Sequence, residues 1–159
     1  MFTKITLENF RSFDHIELDL TEKGNTAKHL AILYGENGAG KSNLMSAFVL
    51  LPELTRTMDA RAAYERILAQ GAIFQDENME KEMREHIRQR LRDMSAIIKD
   101  YQMADCENPI IAEYEFNIDG NNGCYRVEFG QDEILHERLE FVLNRRRGLY
   151  FDCSVTGIN

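Results

Sequence analysis

The sequence predicts an α/β fold, and three features of its pattern support that prediction. Residues 29–34 are a short apolar run, residues 35–42 are rich in glycine, and residues 42–51 carry apolar side chains at helical spacing. This succession indicates a buried strand, a loop and a helix. Alternating patterns on either side of this unit indicate further strands, and a long stretch with a helical period indicates an α-helical region between them.

Two strands are predicted ahead of the loop. Apolar and polar residues alternate over 2–10 and again over 14–20, with a short connection between the two segments. A turn over 21–28 then leads to the apolar run at 29–34, so the strand that feeds the loop comes third along the chain.

Helices are predicted after the loop. Pro52 interrupts the helical pattern, which resumes over 53–70, and Gly71 ends it. A second helix over 77–104 is predicted by apolar residues spaced three and four apart, and its other faces are densely charged. Two interpretations remain open, namely an amphipathic helix packed on the body of the domain, or a protruding helical hairpin or dimer contact.

The last third of the chain predicts an antiparallel β meander. Alternation over 112–118, a turn at 119–123 and alternation over 125–129 are typical of a hairpin, and further strands are predicted at 134–143 and 148–153. We therefore expect residues 1–159 to form a single partial lobe. Its parts are the strands, loop and first helix over 1–52, a helical insert over 53–108 and the meander over 109–159.

Composition describes an ordinary globular protein. Hydrophobic residues make up 43% and charged residues 29% of the chain, and no apolar stretch approaches the roughly 20 residues that a membrane helix needs. Cys106, Cys124 and Cys153 lack metal-ligand spacing, so we expect reduced thiols and a cytoplasmic location. A net charge of −8 argues against a main nucleic-acid-binding surface, and the basic run at 145–147 is interpreted as a solvated edge or, less simply, a DNA contact.

The glycine-rich loop matches the phosphate-binding pattern G-x-x-x-x-G-K-[ST] over residues 35–42, GENGAGKS. Gly35, Gly38 and Gly40 would let the backbone approach the phosphates, because glycine has no side chain. Lys41 would reach the β- and γ-phosphates, and the Ser42 hydroxyl would bind Mg²⁺. The phosphates would then lie at the N-terminus of the following helix, where free N–H groups favour anions.

Two stretches around this loop resemble a known group of proteins. Residues 4–13 (KITLENFRSF) and 34–45 (YGENGAGKSNLM) resemble the start of the ABC-type ATPase heads of the SMC, RecF and OLD-nuclease superfamily. The likeness is closest to the AAA-family, abortive-infection ATP-binding proteins associated with phage defence. Residues 111–120 and 124–129 are similar to the meander of those proteins, whereas residues 53–104 match nothing in them.

The resemblance implies ATP and Mg²⁺ as cofactors and a nucleotide cradle in this loop. It also implies a nucleotide contact by Arg11 and a second ATPase head as partner in a homodimer. A nuclease or toxin is the implied effector, with nucleic acid contacted indirectly. The residues that the resemblance and the motif assign to nucleotide binding are Arg11, Asn37, Gly38, Ala39, Gly40, Lys41, Ser42 and Asn43, with Ser42 also assigned to the metal.

Heads of this type also need a signature loop and a Walker B strand that ends in Asp-Glu, and neither is convincing here. The nearest Walker B candidate is residues 72–77 (AIFQDE), with Asp76 and Glu77 in the right order, but its apolar run is short and lies between helical stretches. No catalytic residue is therefore assigned, and we expect ATP hydrolysis from a complete head rather than from these residues alone. The absence of an N-K-x-D sequence counts against GTP.

Two alternative functions remain open. The first is a small-molecule kinase that uses Asp76 or Glu77, with the arginines of 84–92 as a lid. The second is a non-catalytic interaction module whose working surface is the long helix. Phosphate transfer to a nucleoside or sugar would favour the kinase, and normal partner binding by a Lys41 variant would favour the module.

Overall fold

A computed structural model describes residues 1–22, 26–54, 56, 94–130, 133–143, 146–154 and 157–158 of the chain. Most of the helix predicted over 53–70, the first part of the helix predicted over 77–104 and the Walker B candidate at 72–77 lie outside the described residues. No described helix is long and apolar enough to cross a membrane.

The described strands form one seven-stranded sheet in which every neighbouring pair is antiparallel. The order across the sheet is β2-β1-β3-β4-β5-β6-β7. The strands are β1 (Phe2–Phe10), β2 (Phe13–Asp19), β3 (Ile110–Ile118), β4 (Asn121–Gly130), β5 (Glu133–Leu143), β6 (Arg146–Ser154) and β7 (Gly157–Ile158). The predicted strands over 2–10, 14–20, 112–118, 125–129, 134–143 and 148–153 are thus confirmed, with small shifts at their ends.

One pairing joins two strands that are far apart in the sequence. Strand β1 lies between β2 and β3, and Ile5 is opposite Tyr114 while Leu7 is opposite Ala112. The first two strands and the meander are therefore parts of the same sheet. Because this pairing spans more than 100 residues of sequence, local alternation carries no signal for it.

Two described helices pack on one face of this sheet. Helix α1 covers residues 41–54 and helix α2 is Met94–Tyr101. The hydrophobic core is formed between them and strands β1, β3 and β4. Its fully buried members are Ile5, Leu7, Phe10, Ala47, Leu50, Ile97, Ile110, Ala112, Tyr114, Val127 and Phe129.

Helix α1 is fixed to the sheet by a buried hydrogen bond as well as by apolar contacts. The Tyr114 hydroxyl donates to the Ala47 carbonyl oxygen at 2.7 Å. Burial raises the pKa of Tyr114 well above its ordinary value, so this hydroxyl keeps its proton and remains a donor. Helix α2 buries Ile97 and Tyr101, which matches the packed amphipathic interpretation for this described part of the predicted 77–104 helix.

The strand predicted at 29–34 is wrong for this structure. Residues 30–36 have no strand conformation, and Leu30, Ile32 and Tyr34 are 75%, 74% and 92% exposed. A strand needs a neighbour for its N–H and C=O groups, and no described strand pairs with this segment. The α/β prediction is corrected accordingly, because the described sheet is wholly antiparallel and lacks the strand that would lead into the loop.

Candidate functional site

The glycine-rich loop turns sharply before helix α1 begins at Lys41. Residues 37–40 form the turn, and Gly38 and Gly40 adopt φ angles of 86° and 83°. This left-handed region is costly for residues with a Cβ, which explains glycine at both positions. The turn therefore lies directly at the N-terminus of helix α1.

The amide groups of this turn are available to a ligand. Among the described residues, Ala39 N–H donates to the Glu36 carbonyl at 3.2 Å and Leu44 N–H donates to the Gly40 carbonyl at 2.9 Å. No described acceptor lies on the amides of Gly38 or of residues 40–43. Unpaired N–H groups at the start of a helix, in a left-handed turn, form an anion-binding concavity.

The Lys41 side chain folds back over the loop. Its Nζ donates to the carbonyl oxygens of Gly35 and Glu36, at 2.7 and 2.6 Å. An ammonium group has three donors, so one N–H remains for a further acceptor above the loop. The positive charge is thus held against the loop, within the same short segment as the unpaired amides.

The other predicted loop residues differ in how exposed they are. Asn37, Ala39 and Ser42 are exposed to solvent, and Ser42 is the second residue of helix α1. The Ser42 hydroxyl is therefore accessible to a metal ion or a phosphate at the helix terminus. Asn43 is half-buried and faces the protein, because its Nδ2 donates to the Ser12 Oγ at 2.8 Å.

The turn between β1 and β2 supports the loop from one side. Ser12 accepts the hydrogen bond from Asn43, and the Phe13 ring lies against Gly40, where a Cβ would meet its Cζ at 2.7 Å. Gly40 is thus required by close packing as well as by its φ angle. Sequence reasoning missed Ser12 and Phe13, since a contact across about 30 residues has no local signature.

Arg11 lies in the same turn and faces helix α2. Its guanidinium carbon is 4.8 Å from the centroid of the Tyr101 ring, and its Nε is buried without a hydrogen-bond partner among the described residues. Arg11 itself adopts a φ angle of 52°, which is unusual for a residue with a side chain. Its predicted contact with nucleotide stays a prediction.

Comparison with known proteins finds a family model and a protein relative that each match part of the chain. A family model described as an AAA domain matches residues 4–59. The chain is also 41% identical over 49 residues to a protein named DNA replication and repair protein RecF, from Bacillus mycoides (strain KBAB4). That alignment covers 31% of this chain and 12% of the relative, so the match spans only a small part of the relative's length.

The matches and the loop geometry agree on the class of this region. The AAA-domain match contains the glycine-rich loop, and the relative named RecF is 41% identical over its 49 matched residues. They support an ATP-binding region of the SMC/RecF type in the first part of the chain. The residues of the loop fit a nucleotide triphosphate with Mg²⁺, because unpaired amides, an ammonium group and a hydroxyl are present in one short segment.

Proposed function

We propose that this chain is the ATP-binding lobe of an SMC/RecF-like ATPase that works as an ATP-dependent dimerisation switch. In this proposal ATP joins two heads, and the resulting closure controls an attached or partner effector, such as a nuclease or toxin acting on nucleic acid or in phage defence. The lobe would act in the cytoplasm, and its acidity would leave nucleic-acid contacts to other parts of the assembly.

One observation carries the nucleotide-binding part of the proposal. Among the described residues the amides of Gly38 and of 40–43 have no acceptor, and Lys41 Nζ is held by two carbonyls of the same loop. A triphosphate placed there would gain charge-assisted hydrogen bonds without rearranging the turn. Mg²⁺ would be held by the Ser42 hydroxyl together with phosphate oxygens, and it would neutralise charge on the terminal phosphate.

The exposed apolar surface beside the loop supports a further part of the proposal, that another strand packs on this side of the lobe. Met45 and Val49 are each 51% exposed, on the side of helix α1 opposite its buried residues. With Ile32 and Leu33 they line a mainly apolar groove of about 760 Å³, and Lys41 and Ser42 are also among its lining residues. In our proposal a further strand pairs with residues 29–34 and fills the groove, which brings the end of that strand, and a carboxylate on it, close to Ser42.

Binding of Mg·ATP, followed through the backbone amide resonances of the chain, tests the proposal. We expect shift changes concentrated in residues 38–43, and a Kd that rises about tenfold or more in Lys41→Ala, since charge-assisted hydrogen bonds contribute about 1.5–3 kcal/mol. Lys28→Ala is the matched control, because Lys28 is another half-exposed lysine, whose Nζ donates to the Asp19 carbonyl at 3.3 Å. It should bind as the wild type does.

Several results would contradict this proposal. Wild-type chain that shows no shift change in residues 38–43 at millimolar Mg·ATP would exclude a nucleotide cradle. Strong magnesium-dependent hydrolysis by the isolated chain, lost in Lys41→Ala, would show that the lobe is catalytically complete. Transfer of phosphate to a nucleoside or sugar would favour the kinase over the switch.

A further inference from the structure

The end of helix α2 holds the turn between β1 and β2 through three contacts with one residue. The Tyr101 ring stacks on Phe10 with 5.3 Å between ring centroids, and it lies under the Arg11 guanidinium at 4.8 Å. The Arg11 N–H also donates to the Tyr101 carbonyl at 2.8 Å. Tyr101 is only 2% exposed, so these contacts are made inside the protein, where little water competes for them.

The opposite side of the same turn touches the glycine-rich loop. Ser12 accepts the hydrogen bond from Asn43, and the Phe13 ring occupies the space beside Gly40. Residues 11–13 therefore form a short bridge, with Tyr101 at one end and two residues of the loop unit at the other.

The backbone of this bridge is in an uncommon conformation. Arg11 has a φ angle of 52°, and Asn9, two residues earlier, has a φ angle of 53°. Such conformations persist only where surrounding contacts hold them. Asn9 is held by its Nδ2, which donates to the Pro109 carbonyl at 2.8 Å, and by its own carbonyl, which accepts from Met103 N–H at 3.1 Å. The conformation of Arg11 is held by its two contacts with Tyr101, one to the carbonyl and one to the ring.

We propose that Tyr101 is a positioning residue for the nucleotide cradle. Its ring and carbonyl keep residues 11–13 pressed against Gly40 and Asn43, and this contact keeps the loop in the shape that presents its unpaired amides. Because linkage is reciprocal, a nucleotide that orders the loop also orders the end of helix α2. This inference rests on the proposed nucleotide binding. It adds Tyr101, which lies outside the glycine-rich motif, as a residue that supports the same site.

Tyr101→Leu removes the ring while it keeps a buried apolar side chain. We expect the Kd for Mg·ATP, measured by the amide titration described above, to rise about fivefold or more, which is the lower range of couplings between sites. Tyr101→Phe retains the ring that contacts Phe10 and Arg11, so it should bind Mg·ATP more tightly than Tyr101→Leu. In the wild type, Mg·ATP should slow hydrogen exchange of the Arg11 and Met103 amides, which donate across this junction.

Tyr114→Leu is the matched control for loss of stability. Tyr114 is as buried as Tyr101 and its hydroxyl bonds to helix α1, but at Ala47 in the middle of the helix rather than at the loop. We expect this variant to unfold at a lower temperature and to bind Mg·ATP as the wild type does. An equal loss of affinity in both leucine variants would assign the effect to general loosening, and would overturn the positioning role.

The outcomes separate this inference from the proposed function. If the wild type binds Mg·ATP and folded Tyr101→Leu binds equally well, the positioning role is wrong while nucleotide binding stands. If the wild type does not bind, nucleotide binding itself is wrong. Should Tyr101→Leu fail to fold, Ser12→Ala tests the same bridge from its exposed side, and unchanged affinity in that variant would overturn the proposal.

Discussion

Strand β1 and the segment at 29–34 are both rich in apolar residues, yet the structure treats them in opposite ways. Strand β1 pairs on both sides, with β2 and β3, and it buries Ile5 and Leu7 completely. The segment at 29–34 has no strand neighbour among the described residues and exposes Ile32 to 74%. An apolar run therefore becomes a strand only where another strand pairs with its backbone and another layer covers its side chains.

The largest test of this contrast compares two isoleucines. We expect Ile5→Ala to reduce the free energy of unfolding by about 2–5 kcal/mol, because it removes buried methylene groups and leaves a cavity. Ile32→Ala should change it by less than about 0.5 kcal/mol, as exposed substitutions usually do. Chemical denaturation of both variants, with the wild type as reference, measures the difference.

Either result can break the comparison. A large loss of stability in Ile32→Ala would show that residues 29–34 are covered within this chain. A small loss in Ile5→Ala would show that the core between the sheet and helix α1 is loosely packed.

A second test asks how firmly the exposed loop is attached to the sheet. Both Gly38 and Gly40 have positive φ, but only Gly40 has neighbouring atoms where a Cβ would stand, with Phe13 Cζ at 2.7 Å and nothing within 4 Å at Gly38. We expect Gly38→Ala to cost about 1–2 kcal/mol from backbone strain alone. Gly40→Ala should cost more, because the Phe13 ring must also move.

Thermal unfolding of the two alanine variants gives the ranking, and the amide shifts of Ser12 and Phe13 report whether the turn has moved. Equal effects at the two positions would mean that the turn between β1 and β2 yields easily, and that the loop is attached less firmly than its contacts indicate.

The third test has the smallest expected effect, and it concerns the pKa of Asp19 at the end of strand β2. The Asp19 carboxylate accepts hydrogen bonds from the Thr21 side-chain hydroxyl and backbone N–H, at 2.5 and 2.7 Å, and these lower the pKa of Asp19 below its ordinary value of 3.8. Because the pKa is lowered on folding, the stabilisation is complete above that ordinary value and is lost as the pH falls through the folded-state pKa.

A pH titration of the Asp19 side-chain resonances measures this directly. Thr21→Val removes the hydroxyl, which is the largest cause of the lowered pKa, and should move the pKa back towards its ordinary value. An unchanged pKa in this variant would show that the backbone N–H alone accounts for the lowered value.

Local pattern was sufficient for most of the described strands. Alternation predicted β1, β2 and the meander because half-buried antiparallel strands have a period of two residues. It did not predict that β1 pairs with β3, since that contact joins Ile5 to Tyr114 and depends on the whole chain. It misjudged 29–34, because a run suited to burial on both faces does not reveal which part of a protein covers it.

The site was predictable in its motif and not in its supports. The pattern over 35–42 locates the left-handed glycines and Lys41, whose roles follow from residue type and spacing. Ser12, Phe13 and Tyr101 carry no comparable signature, since serine and aromatic residues occur widely in turns and cores. Their relation to the loop exists only after β1, helix α1 and helix α2 have packed together.

The pairing of β1 with β3 has one more consequence, for how this protein tolerates changes in chain length. It closes a loop of the polypeptide that begins after Phe10 and returns at Ile110, and the stretch at 57–93 lies within it. The entropic cost of closing a flexible loop grows only logarithmically, by about 0.6 kcal/mol for each doubling of length. A change in the length of the chain between helices α1 and α2 therefore carries only a small loop-closure cost of its own, even when the inserted stretch doubles the loop.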